Sequence, residues 1–210
     1  MKYTEQFVYL NWRMDKRDRS LNYAMMAEGY WKASVRLLDL LLNDNEGHDA
    51  DAVVFPTLFD AHQSLELYLK ATRIAVCEAK GSNPWTINIK TSHDLDKLIA
   101  SLNSVFDDGD EYFIDKKDTA CIFRLVDLLK SVGADGEGGY YVDFARYPEK
   151  EPGKSYLFVE SDEFVFDLKE LKALINTGCR FMDGFYWMWQ ERADATRCMK
   201  TDLKCESNVQ

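Results

Sequence analysis

The chain has 210 residues, of which 46% are hydrophobic and 30% charged, with only four Pro and 11 Gly. That is ordinary globular composition at a length suited to one domain, and it leaves no room for a long low-complexity linker. A formal net charge of −10 argues against a broad nucleic-acid face, whose affinity comes from Lys and Arg neutralising phosphates, though one small basic pocket is still compatible with it.

Residues 3–12 are rich in aromatics and suit a short strand or an extended arm, and 1–19 is assigned as an N-terminal arm. Ser20 is expected to cap a first helix over 20–43. Its positions Tyr23, Met26, Ala27, Tyr30, Leu37, Leu38 and Leu41 recur at helical spacing. A second helix is predicted from about 51 or 56 to 80. It carries one stripe at Leu58, His62, Leu65, Leu69, Thr72 and Val76, and a smaller-residue stripe at Ala61, Ser64, Tyr68, Ala71 and Ala75 that admits a close neighbour. Gly81 follows as a C-terminal cap.

Thr91 and Asp94 fit a capping box that opens a third helix, with His93 and Asp94 in its first turn. A fourth helix is expected over about 110–133, apolar on two sides and therefore central. Residues 134–162 change character. The runs at 140–144 and 156–159 flank Pro152-Gly153 and suit a short β-hairpin or an irregular insertion. The last helix spans about 167–196, and 197–210 reads as a flexible tail. The expected fold is therefore mostly α, an antiparallel bundle of about five helices occupying 20–196.

The five cysteines are scattered without a CxxC pair, so no zinc ribbon or disulfide framework is expected, and Cys77, Cys121 and Cys179 read as small core residues of a reducing compartment. The first residues show no apolar signal core, and the apolar cluster at 37–42 is too short to span a bilayer, so a cytoplasmic protein without membrane contact is expected.

Three strings carry a family resemblance. They are Tyr30-Trp31-Lys32-Ala33-Ser34 with Leu37-Leu38, then Ser64-Leu65-Glu66-Leu67-Tyr68-Leu69-Lys70-Ala71, then Ser92-His93-Asp94-Leu95-Asp96-Lys97-Leu98. In this order and spacing, over about 20–195, the chain resembles the HEPN superfamily; Arg146-Tyr147-Pro148 is similar to a turn in some HEPN-like proteins. The resemblance implies a helical bundle that dimerises or pairs with another protein, with roles around RNA, toxin–antitoxin pairs, stress or phage defence. Catalytic members carry an Arg, four to six residues, and then a His near the last helix. Here Arg180 is followed at those positions by Phe185, Tyr186 and Trp187, so the acid–base group is missing. The expectation is a non-catalytic binding or oligomerisation module; the alternative is a ribonuclease or nucleotide-processing enzyme with an unconventional site.

The candidate catalytic groups for that alternative are His62, Glu66, His93 and Arg180. His62, Glu66, Lys70 and Arg73 fall on one helix edge, either a ligand-binding polar groove or, as the preferred expectation, a solvated edge beside the core. His93 is expected to fix a helix start. Arg146 and Tyr147 suit phosphate or carboxylate recognition, or else Arg146 pairs with a neighbouring acid. Tyr186 and Trp187 belong to an aromatic set that either meets a partner or is covered by the hairpin and arm. Neither a metal site nor a cofactor is expected, since no ligand signature is present. Net charge disfavours RNA or nucleotide, and a homodimer or a protein partner is the expected assembly.

Overall fold

A computed structural model describes Val8 and residues 14–84, 92–107, 114–117, 119–134, 142–147, 149–161 and 164–207, with backbone alone for Val142, Lys150, Leu157 and 201–207. The expected arm at 3–12 lies, apart from Val8, outside the described residues. The rest is mostly helical, as the sequence predicts.

Helix α1 (Arg19–Asn43) is capped not by Ser20 but by Asp18, whose carboxylate accepts from the Leu21 amide at 2.9 Å. Ser20 is instead buried, its hydroxyl 2.7 Å from a side-chain oxygen of both Asp18 and Gln190. The apolar face is Ala24, Ala27, Leu38 and Leu41, while Met26 turns outward. Helix α2 (Ala50–Ala79) runs through Pro56 and ends in a Schellman turn. Gly81 takes φ +69°, and the Ser82 amide donates to the Cys77 carbonyl at 2.8 Å.

From Leu58 to Cys77 nearly every side chain of α2 is buried. Both predicted stripes are therefore core, and α2 rather than the fourth helix is the central element. Helix α6 (Leu168–Ser207) lies along its small-residue stripe. There the Tyr68 hydroxyl donates to Asp183 at 2.9 Å. Helix α1 packs against both. Burying a Leu or Ile in this seam contributes roughly 1.5–3 kcal/mol per side chain.

Helix α3 (Leu95–Asn103) crosses near the end of α2, and α4 (Ala120–Val132) packs on α6 through Ile122, Leu125, Val126 and Leu129. Helix α4 starts ten residues later than the sequence suggests, and much of 108–118 lies outside the described residues. Asp94 itself is the N-cap of α3, accepting from the Lys97 amide at 3.1 Å; this places His93 in extended chain just before the helix, not in its first turn. Thr91 is not among the described residues.

The hairpin exists but is shorter than expected. Strands β1 (Glu149–Glu151) and β2 (Lys154–Ser155) pair antiparallel around Pro152-Gly153, where Gly153 takes φ +78°. The flanking apolar runs form a 3₁₀ turn (Val142–Ala145) and a single helical turn, α5 (Leu157–Glu160), because Phe144 and Tyr156 are drawn into the core. The predicted tail does not begin at 197: α6 continues to Ser207, and Arg197 pairs with Asp18 at 2.9 Å. No helix among the described residues is long and apolar enough to cross a membrane.

Candidate functional site

The α2 edge bearing His62, Glu66, Lys70 and Arg73 is not solvated. All four side chains are buried, at 0–3% exposure. Charges go inside only when paired, and here each has a partner. The Lys70 ammonium donates to Glu66 Oε1 at 2.7 Å, one helical turn away. Arg73 donates from Nε to the Ser101 carbonyl at 3.1 Å and from a terminal nitrogen to the Pro84 carbonyl at 2.5 Å, tying α3 and the preceding connector to α2. Its guanidinium is committed to the fold, not offered to a ligand.

His93 completes the cluster from outside. Its Nδ1 lies 3.2 and 3.1 Å from the two Glu66 oxygens, while its side chain is 60% exposed. His62 sits beneath. Burial holds its imidazole down at about 4, so it is neutral at pH 7, and its ring lies near the His93 backbone. Glu66 on α2 thus holds the ring of one surface histidine. Of the candidate catalytic set, His62, Glu66 and His93 come together. Arg180 does not: it is exposed on α6 with no ion pair among the described residues.

Arg146 pairs with Asp143 and lies over the Phe59 and Tyr147 rings at 5.8 and 5.7 Å. This is the neighbouring-acid alternative; Tyr147 remains exposed. On α6, Tyr186 is fully buried, and burial pushes its hydroxyl above the ordinary value. Trp187 is partly exposed, its ring edge-on to Tyr186 at 5.1 Å. Phe185 and Trp189 are buried under Phe106, so α6 presents no broad aromatic face.

The open apolar surface lies elsewhere. The start of α2 (Val54, Phe55, Leu58), the end of α4 (Val132) and Phe158, Phe164, Val165, Phe166 and Leu168 enclose a groove of about 400 Å³. Phe55 and Phe158 meet at 5.5 Å, as do Phe164 and Phe166, while Phe164 and Val165 stand exposed at the rim. Exposed Asp51 lines the mouth, and exposed Asp44, Glu46, Asp49, Glu160 and Asp167 adjoin its lining segments, with Lys169 a cation among them. The groove was missed from sequence. Its signals were the Val53-Val54-Phe55 and Phe164-Val165-Phe166 runs at the ends of elements, where no period marks a face. Among the described residues, no three His, Cys, Asp or Glu side chains are disposed to hold a metal ion.

No family model, no curated protein and no solved structure matches the chain.

Proposed function

We propose that this domain is a non-catalytic binding module of the HEPN-like kind, whose acidic-rimmed aromatic groove takes a basic segment of a partner protein anchored by apolar side chains. The observation that carries it is the groove itself: an open apolar floor of the size that holds a few side chains, with Asp51 in its lining and five further exposed carboxylates next to its lining segments in the chain. Complementary charge steers a basic partner and rejects an acidic one. A second copy of this chain, at net charge −10, meets that repulsion, so the partner is a different protein.

Two further observations support the family reading. The strings that carry the resemblance touch: Glu66 of one faces His93 of the other. The missing Arg–His motif is not replaced at the Arg180 end of α6, where Phe185 and Tyr186 are core. The free thiols at Cys77, Cys121, Cys179 and Cys198 suit a reducing, cytoplasmic setting, and the resemblance suggests a stress or defence system.

The test uses a synthetic helical peptide with Leu and Lys at helical spacing, beside an isomer with Glu for Lys. Fluorescence polarisation should show binding of the basic peptide only. Val165→Glu adds negative charge yet removes an exposed apolar contact; weakening of about tenfold, near 1.4 kcal/mol, places the contact in the groove. Equal or tighter binding by Val165→Glu means adhesion to the acidic surface and overturns the proposal. Self-association through the same face, seen by light scattering and lost in Val165→Glu, would overturn the choice of a foreign partner.

A further inference from the structure

Glu66 needs no histidine for charge balance, because Lys70 already supplies its counter-ion at 2.7 Å. The chain before α3 needs none either, because Arg73 already holds its backbone at Pro84. What the His93–Glu66 contact adds is the state of the ring. A carboxylate only accepts, so the nitrogen facing it carries the proton. Nδ1 is therefore N–H, and in the neutral ring Nε2, on the opposite side, is the nitrogen that keeps a lone pair.

We propose that His93 is a phosphoryl-acceptor site, with Nε2 the nucleophile and Glu66 its positioning residue. The Nε2 lone pair forms a bond to phosphorus as the donor's P–N bond breaks, and that electron pair leaves with the amine, which takes its proton from water. Attack leaves the ring positive, and Glu66 lies against the nitrogen that shares this charge; a fixed carboxylate there stabilises the transition state without reorganising. Asp94, the adjacent acid, is engaged by the Lys97 ammonium at 3.1 Å, which offsets its repulsion of an incoming phosphoryl group.

Small-molecule sites are concave, whereas His93 stands 60% exposed and lines neither the aromatic groove nor the hollow between α4 and α6. The donor is therefore carried by another macromolecule, as an N-linked phosphoryl group such as a phosphoimidazole.

The chain contains its own control. His48 is also exposed but makes no side-chain contact with a carboxylate among the described residues. The intact protein is treated with phosphoramidate, a small P–N donor, and modified peptides are mapped by mass spectrometry at neutral pH. His93 should be phosphorylated at least about tenfold faster than His48, equivalent to a barrier difference near 1.4 kcal/mol. In the Glu66→Gln, Lys70→Met double variant, which removes both buried charges together, the His93 rate should fall to that of His48. Nitrogen-15 spectra of the unmodified wild type should show the His93 proton on Nδ1, an arm that needs no variant to fold. Equal rates at His93 and His48, or a proton on Nε2, overturns the proposal.

Discussion

The burial of His62 makes a quantitative prediction about acid stability. Its side chain is inaccessible, and burial lowers its pKa from 6.5 to about 4. In the unfolded chain it titrates at the ordinary value. Above pH 6.5 the imidazole is neutral in both states and the full stability is present. As pH falls, the unfolded chain takes up the proton first, so stability drains until the folded pKa is passed. Integrating between pH 7.5 and 4.5 gives a loss of roughly 2–3 kcal/mol from this one group. His62→Gln keeps a side-chain donor of similar size but does not titrate. Urea denaturation of both proteins at the two pH values isolates the effect, because carboxylates such as Asp18 titrate equally in each. The wild type should lose that much more than the variant. Equal losses would mean that His62 is either charged or open to water in the native state, and would refute the argument.

The buried pair gives a second test: Lys70→Met strands the Glu66 carboxylate and should cost about 3–5 kcal/mol in urea unfolding, while adding Glu66→Gln should recover most of it. Arg73→Leu leaves the Ser101 and Pro84 carbonyls without donors, at roughly 1–3 kcal/mol each, and hydrogen exchange should rise in α3 first. A Cβ at helical Gly29 or Gly184 meets nothing within 4 Å, so Ala at either site should stabilise by about 0.5–1 kcal/mol in thermal melts. Gly178→Ala should gain less or lose, because its Cβ falls 3.0 Å from Leu125.

The helices were legible because their apolar positions recur at helical spacing, and α2 showed two stripes where a surface helix shows one. Its polar edge was misjudged for a definite reason. Charged residues on one helix edge look like a solvent face unless their partners are known, and these partners lie 27 and 28 residues downstream, at His93 and Ser101. Periodicity carries no information about such pairings. The caps shifted for a related reason. Asp18 outcompetes Ser20 because Gln190 and Arg197, from the far end of the chain, fix both in place. The aromatic groove is assembled from three separated segments, none amphipathic alone, so only the folded chain brings them to one place.

The stripe of α2 that receives α6 has a consequence during synthesis. Helices α1 and α2 are consecutive and pair locally, but Ser20 and Gln190, which join α1 to α6, stand 170 residues apart. A ribosome therefore releases the first helical pair long before the element that covers Tyr68, Ala71 and Ala75 has been made. The nascent chain carries that apolar seam uncovered until α6 has been made, and closing so large a loop adds further delay. A chain that stops short of residue 168 keeps the seam open permanently, which makes premature termination a source of aggregation rather than of a smaller working domain.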